Sequence, residues 1–346
     1  MTETPAFRVV ITDCEHGSID PEIEVLSAIN ARVEWHNCRT EEDVIEVAAD
    51  ADGLIIGYAP ITARVLDALG RTPHGVLRCR IVSRYGIGVD MIDIPAATRH
   101  GVAVTNVPDY CLDEVADHTL ALLLSLARKL LILDRAVRDG RAVKEGHWNT
   151  VQVAGPIYRL SKQTLGIIGL GQIGRRVARR AQAFGMHVIV APDPAVRSEA
   201  ASEVGVTMLP LEEVLSQADY LSLHVPLTED TRHLLNADRL ALMKPTAVII
   251  NTTRGAVIEE AALVDALQHG RLAGAGLDVY EREPISPDNP LRTMENVVLS
   301  SHAAWYSEDA LRDMKIKAAQ AVADVLQGRV PRAILNPSVL VAGNAK

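Results

Sequence analysis

Residues 165–174 read LGIIGLGQIG, so that Gly169, Gly171 and Gly174 follow an apolar run and lead into the helical pattern IGRRVARRAQAFG. Spaced this way, the first glycine permits a tight turn and the second lets the backbone approach a pyrophosphate. The third lets the helix lie close against the strand. The helix start adds unpaired N–H groups and a dipole that favours an anion. Glycine-rich turns also occur without any nucleotide, but a strand before, a helix after and further βα units beyond favour a dinucleotide site. An acid at the end of the next strand would hold the adenosine ribose hydroxyls. That strand reads HVIVAPDP, which makes Asp193, 19 residues beyond Gly174, the candidate. A carboxylate there repels a 2′-phosphate and favours NAD over NADP, although Arg197 lies close by.

The elements that must position these residues alternate along the whole chain. FRVVIT (7–12), RVEWH (32–36), GLIIGY (53–58), LRCRIVSR (77–84) and VAVTNV (102–107) read as strands. Helical patterns at 21–30, 41–49, 62–69 and 93–100 fall between them. Apolar strands separated by helices predict a parallel sheet covered on both faces, here a flavodoxin-like sheet of about five strands. A long helical pattern, 114–140, follows and ends at Gly140; it exceeds a crossover and suits a bridge or a dimer arm. RAVKEGHWNT (141–150) reads as polar loop. Six further strand candidates come next: TLGIIG (164–169), HVIVA (187–191), DYLSLHV (219–225), AVIIN (247–251), LAGAGLDV (272–279) and NVVLSS (296–301). They give the doubly wound pattern of a dinucleotide-binding domain. A helix at about 307–327 and a Pro-marked tail close the chain. The glycine turn therefore comes late because it opens a second α/β domain. The expected fold is α/β with two doubly wound domains: a Rossmann cofactor domain at 108–306, inserted in a flavodoxin-like domain formed by 1–107 and 307–346.

Composition narrows the function classes. The chain has 346 residues, 48% of them apolar and 23% charged, with a net charge of −9. That size suggests two cores. The acidic balance argues against nucleic acid or an anionic membrane as partner. The most apolar stretch, LALLLSLARKLLIL (120–133), is interrupted by Ser125, Arg128 and Lys129 and is not expected to span a bilayer. MTETPAFRVV shows no signal-peptide pattern. Cys14, Cys38, Cys79 and Cys111 form no CxxC pair and read as reduced thiols. A cytoplasmic protein without a metal site is expected.

Three more stretches, NTTRGAVIEE (251–260), GLDVYEREP (276–284) and SSHAAWYSE (301–308), stand in order after GLGQIG. Together they resemble the D-isomer-specific 2-hydroxyacid dehydrogenases over nearly the whole chain. The likeness runs especially to the C-terminal-binding-protein group and its bacterial relatives, through GVDMIDI, TTRGAVIEE and HAAWYSE. The resemblance implies a hydride-transfer site in a cleft between the two domains, with Arg254, Glu283 and His302 as the catalytic trio. The residue types suit a 2-oxo acid: a guanidinium fork fits a carboxylate and a carbonyl. A protonated His302 can donate to the carbonyl oxygen. Glu283 would favour that protonated form and orient the ring. Singly, each reads better as an ordinary residue, Arg254 as a solvated charge, Glu283 as a loop acid and His302 as a satisfied histidine at a strand end; it is their joint placement after strand ends that points to a site.

The same resemblance places Gln172 and Ile173 at the pyrophosphate turn, and His224, Val225 and Thr231 of HVPLTEDTRHLL beside the cofactor. Thr252, Thr253 and Asp278 match cofactor-side positions, with Asp278 toward the nicotinamide amide. Gly86, Ile87 and Gly88 match a loop whose N–H groups hold the substrate carboxylate. Arg84 and Trp305 match substrate-facing positions, and Trp305 suits interface packing equally well. In one departure, the family's ribose-binding acid falls where this chain has Pro192. Either the strand end bulges and Asp193 recovers the contact, or cofactor preference is looser. No appended regulatory domain follows the closing helical pattern, so amino-acid feedback is not expected. The resemblance implies an NAD(H)-dependent enzyme of small 2-oxo and 2-hydroxy acids, forming a homodimer. The alternatives are an NAD(H)-sensing binding protein with a vestigial trio, and oxidation of formate or phosphite on the same fold. Formate is disfavoured by Glu283, where the family's formate dehydrogenases carry an amide.

Overall fold

Short runs of buried aliphatic residues bounded by turns build two parallel sheets. The computed structural model describes residues 5–15, 17–191 and 199–343. The chain divides into two units, Met1–Cys111 with Ser307–Lys346, and Leu112–Tyr306.

The first unit opens with β1 (Phe7–Ile11), α1 (Asp20–Ser27), β2 (Ala31–Trp35), α2 (Glu41–Ala48), β3 (Gly53–Ile56), α3 (Ala63–Ala68), β4 (Ile81–Arg84), α4 (Ile94–Arg99) and β5 (Ala103–Thr105). The strands are parallel in the order β2-β1-β3-β4-β5, the flavodoxin-like order. Helix starts are set locally. Thr40 and Asp43 form a reciprocal capping box at α2, and Thr62 and Asp93 cap α3 and α4. Leu54, Ile56, Val65, Leu66 and Val82 fill the core on one face of this sheet.

The second unit begins with α5 (Leu112–Ala127) and α6 (Leu130–Arg138), a hairpin of β6 (Val143–Lys144) and β7 (His147–Trp148), and α7 (Thr150–Ala154). Next come β8 (Thr164–Ile168), α8 (Gln172–Ala183), β9 (His187–Ala191), α9 (Glu199–Val204), β10 (Thr207–Met208), α10 (Leu211–Gln217) and β11 (Tyr220–Leu223). The unit ends with α11 (Ala237–Leu240), β12 (Val248–Asn251), α12 (Glu260–Gln268), β13 (Gly274–Leu277) and β14 (Val297–Leu299). Its main sheet has seven strands in the order β10-β9-β8-β11-β12-β13-β14, which is the Rossmann order extended by one strand. The chain then returns to the first unit through α13 (Glu308–Leu326) and α14 (Ser338–Gly343). There Ser83 Oγ donates to the Ala318 carbonyl at 3.0 Å, and Asn336 Oδ1 accepts from Val104 N–H at 2.8 Å.

Three elements differ from the sequence reading. The helix expected over 114–140 is two helices, because Lys129 takes a left-handed φ of 55°. The buried stripe of α5 ends at Leu126 and Ala127, and the next apolar pair, Leu130 and Leu131, is exposed. The stretch expected as loop at 141–150 is a tight hairpin. Glu145 (φ 53°) and Gly146 (φ 80°) supply the two positive angles that such a turn needs. A seventh strand, β10, adds to the six expected; with two residues it is too short for any periodicity to announce it.

Candidate active site

The C-terminal edge of the seven-stranded sheet collects the motif residues, because in a parallel sheet every strand ends on the same side. The glycine turn follows β8, His224 and Val225 follow β11, and Thr252, Thr253 and Arg254 follow β12. Asp278 and Glu283 follow β13, and His302 follows β14, with β12, β13 and β14 adjacent in the sheet.

The three glycines have three separate reasons. Gly169 sits at φ 92°, and a Cβ on it would lie 2.5 Å from the His224 carbonyl oxygen. A Cβ on Gly174 would lie 2.2 Å from the Gly169 carbonyl oxygen, so only glycine lets α8 approach this closely. Around Gly171, by contrast, nothing lies within 4 Å of the place a Cβ would take. α8 starts there without a side-chain cap, with Gln172 and Ile173 as its first residues. An open backbone position, a bare helix start and a tight glycine turn fit the pyrophosphate of a dinucleotide.

Beside the turn, His224 donates its main-chain N–H to the Ile168 carbonyl at 2.7 Å, and its Nε2 lies 2.8 Å from Ser222 Oγ. Burial pushes this imidazole down to about 3, so it is neutral at physiological pH. Its Nδ1 is buried with no hydrogen-bond partner among the described residues, a polar atom that a bound cofactor could satisfy. Thr231 Oγ1 donates to the Pro226 carbonyl at 2.6 Å and shapes the loop after Val225. Asp193 and Pro192, the residues at issue for ribose binding, lie outside the described residues, as does Arg197; β9 ends at Ala191.

At the end of β12, Asn251 builds the turn that presents Arg254. Its Oδ1 accepts from the N–H and Oγ1 of Thr253, at 3.0 and 2.8 Å, while its Nδ2 donates to the Arg254 carbonyl at 2.9 Å. Sequence reasoning passed over Asn251. The available signal was its place as the last strand residue before TTRG, where an amide can brace a turn. Thr252 Oγ1 lies 3.0 Å from Thr119 Oγ1 on α5. Gly255 is needed for approach, since a Cβ there would lie 1.8 Å from the Tyr280 carbonyl carbon.

The central pair is Glu283 and His302. Glu283 Oε2 meets His302 Nδ1 at 2.7 Å, and its Oε1 accepts from Tyr280 N–H at 3.0 Å. Burial alone would raise the Glu283 pKa. The His302 hydrogen bond and charge, the Tyr280 N–H and the Arg254 charge outweigh it and hold the carboxyl below the ordinary range. His302 Nε2 has no protein hydrogen bond among the described residues. An imidazole held at Nδ1 by a carboxylate, with Nε2 open, can give and take a proton. Asp278 is fully buried, and both of its carboxylate oxygens accept from protein groups. Trp305 packs edge-on against Tyr306, ring centroids 5.5 Å apart.

The remaining expected residues lie in the first unit, after β4. Arg84 is buried, with its guanidinium 5.5 Å from the centroid of the Tyr58 ring. Gly86 sits at φ 111°, an angle that strains any residue with a Cβ, and a Cβ there would also displace Arg84 Nη1. The Gly86 and Ile87 carbonyls accept from Val107 N–H at 3.0 Å and Asn106 Nδ2 at 2.7 Å, which fixes the loop running on to Gly88.

Residues 120–304 match the family model described as D-isomer specific 2-hydroxyacid dehydrogenase, NAD binding domain. The chain belongs to the D-isomer specific 2-hydroxyacid dehydrogenase family. Its second unit is that family's NAD-binding domain, and the protein is accordingly an oxidoreductase of the family's NAD-dependent class. A glyoxylate reductase of Korarchaeum cryptofilum is 41% identical over 86% of each chain. A D-3-phosphoglycerate dehydrogenase of Synechocystis is 36% identical over 95% of this chain and 56% of its own length. Among solved structures, the D-lactate dehydrogenase of Aquifex aeolicus in complex with NAD and lactic acid superimposes with a TM-score of 0.81 at 27% identity. That match covers 95% of this chain and 99% of the Aquifex one.

Proposed function

We propose that the protein reduces a small 2-oxo acid of the glyoxylate class to the 2-hydroxy acid, and runs the reverse oxidation, with NAD(H) as its cofactor. The observation that carries this reading is the 2.7 Å contact between His302 Nδ1 and Glu283 Oε2 at the end of adjacent strands. The 41% identity to a glyoxylate reductase supports the substrate class.

The turn at Gly169, Gly171, Gln172, Ile173 and Gly174 would hold the pyrophosphate, and His224, Val225, Thr231, Thr252, Thr253 and Asp278 would line the rest of the cofactor's path. When bound, the reduced nicotinamide supplies the hydride. The chain's own part is to bind, orient and protonate. Arg254 offers a planar fork to the substrate carboxylate and carbonyl. His302, protonated, gives its Nε2 proton to the carbonyl oxygen as that oxygen becomes a hydroxyl, and takes it back in the oxidation. Glu283 accepts from the ring at Nδ1 and fixes its orientation. Arg84, the loop Gly86–Ile87–Gly88 and Trp305 are the substrate-side residues of this reading.

Two further parts go with it. A cytoplasmic site is supported by four buried cysteines that form no disulfide among the described residues. A C2 homodimer is supported by apolar side chains concentrated between 130 and 151. There Leu130, Val137 and Val143 are more than half exposed, and Trp148 and Val151 are 71% and 75% exposed. Among the described residues no helix is long and apolar enough to cross a membrane.

The test is a steady-state screen of 2-oxo acids with NADH and NADPH. Turnover of a short 2-oxo acid is expected, with NADH preferred by at least ~tenfold in kcat/KM, about 1.4 kcal/mol, if Asp193 faces the ribose. Binding of NADH without turnover of any 2-oxo acid would instead favour the sensing protein.

A further inference from the structure

His302 has a left-handed backbone, φ 53°, a conformation that costs a residue with a Cβ and persists only where its surroundings impose it. Here one aspartate imposes it. The Asp278 carbonyl accepts from His302 N–H at 2.8 Å, its Oδ1 accepts from Ala303 N–H at 2.9 Å, and its Oδ2 accepts from Ala304 N–H at 2.9 Å. Ser300 Oγ, on the other side of His302, donates to Asp278 Oδ1 at 2.6 Å.

One more side chain completes this arrangement, and it comes from a helix rather than a strand end. His118 on α5 places Nε2 at 2.8 Å from Ser300 Oγ and 3.6 Å from Asp278 Oδ1. Serine has a single hydroxyl hydrogen, and here it is directed to Asp278. Toward His118 the same oxygen can only accept, so His118 Nε2 carries a proton and donates it. α5 lies along β12, β13 and β14, which makes His118 a brace from beneath the strands whose ends carry Arg254, Glu283 and His302.

We propose that His118 is a positioning residue for the His302–Glu283 pair. It donates to Ser300, Ser300 donates to Asp278, and Asp278 fixes the backbone on both sides of His302, which holds Nδ1 on Glu283. This inference rests on the reading of His302 as the proton donor. Without the His118 donor, Ser300 is free to turn from Asp278, the turn loosens, and the imidazole drifts from its carboxylate.

The experiment compares the parent with His118→Phe, which keeps the bulk but not the donor, and with His118→Gln, whose side-chain amide reaches the same place and donates. Ser300→Ala serves as a second break in the chain should His118→Phe fail to fold. With glyoxylate and NADH, His118→Phe and Ser300→Ala are expected to lower kcat by roughly tenfold, since small misplacements of reacting groups are costly. KM for NADH should stay within about twofold, because the glycine turn is untouched. The alkaline limb of the kcat profile should move to lower pH, as the imidazolium loses part of its contact with Glu283. His118→Gln should recover most of both changes. A purely structural role would lower thermal stability without moving that limb. The same variants, ¹⁵N-labelled at histidine, give a readout that needs no turnover. The His302 Nδ1 resonance, assigned by its loss in His302→Gln, should shift in His118→Phe and return in His118→Gln. An unmoved resonance and an unmoved pH limb would overturn the inference, as would a glutamine variant no better than phenylalanine. A parent that reduces no 2-oxo acid, yet shows the resonance shift, would overturn the proposed reaction and leave the positioning role standing.

Discussion

At Glu283, burial and pairing pull in opposite directions, and pairing wins: His302, the Tyr280 N–H and Arg254 hold the carboxyl below its ordinary range. The sign of the pH dependence follows. A carboxyl whose pKa is lowered by folding contributes stability above its unfolded pKa and loses it as pH falls through the folded one. The difference in unfolding midpoint between the parent and Glu283→Gln should therefore be largest near neutrality and shrink below the ordinary glutamate value of 4.5. In catalysis the same substitution acts at the other end of the scale. Without the carboxylate the imidazolium is less favoured, so the alkaline limb of 2-oxo acid reduction should move to lower pH. A profile identical to the parent's would separate Glu283 from the proton transfer. Arg254→Lys keeps the charge but loses the fork, and should lower kcat/KM for glyoxylate by roughly 10²-fold or more. Fluorescence titration should find NADH binding within about threefold of the parent.

Gly171 and Gly174 stand three residues apart at the start of one helix, yet substitution should affect them in opposite ways. A methyl at Gly174 meets the Gly169 carbonyl oxygen at 2.2 Å, so Gly174→Ala should lower the unfolding midpoint by several degrees. Gly171 has ordinary extended angles and open space, so Gly171→Ala should leave the midpoint nearly unchanged and weaken NADH binding at least tenfold. Equal NADH affinity in parent and Gly171→Ala would remove the pyrophosphate from this turn. At this scale the sequence was informative where a signal repeats or a motif is ordered. Buried strands announced themselves as aliphatic runs, and the strand–turn–helix context of GLGQIG located the open edge of the sheet. The motifs TTRG, EREP and SHAAW marked the strand ends that meet there. Events carried by one residue stayed silent. Lys129 breaks a helix through its own φ, and the Glu145–Gly146 turn lacks the usual asparagine or aspartate before glycine. His118 and Thr119 also gave no sign of their part, because their contacts to Ser300 and Thr252 span 182 and 133 residues of sequence.

At the scale of the whole molecule, two doubly wound units follow each other and the last helices rejoin the first unit. α13 is tied there by a buried ion pair, Lys315 to Glu22 at 3.4 Å, and by Lys315 Nζ donating to the Ser18 carbonyl at 2.6 Å. The second unit leaves apolar side chains of α6, the β6–β7 hairpin and α7 in solvent. Burying them against a second copy is the proposed outcome. Light scattering should then give about twice the 37.4 kDa chain mass at micromolar concentration, and Trp148→Glu with Val151→Glu should shift the protein toward monomer. A parent that stays at the monomer mass over that range would exclude the dimer.

The most direct test of the proton donor at the end of β14 is the turnover of glyoxylate by His302→Gln, measured with NADH beside the parent, together with NADH affinity by fluorescence. Glutamine retains polarity near the Glu283 carboxylate and cannot donate as an acid. A fall in kcat of roughly 10²–10⁴-fold is expected, the usual worth of a general acid, with NADH affinity retained. Turnover equal to the parent's would contradict the assignment of His302 and, with it, the reading of this strand edge as a reductase site.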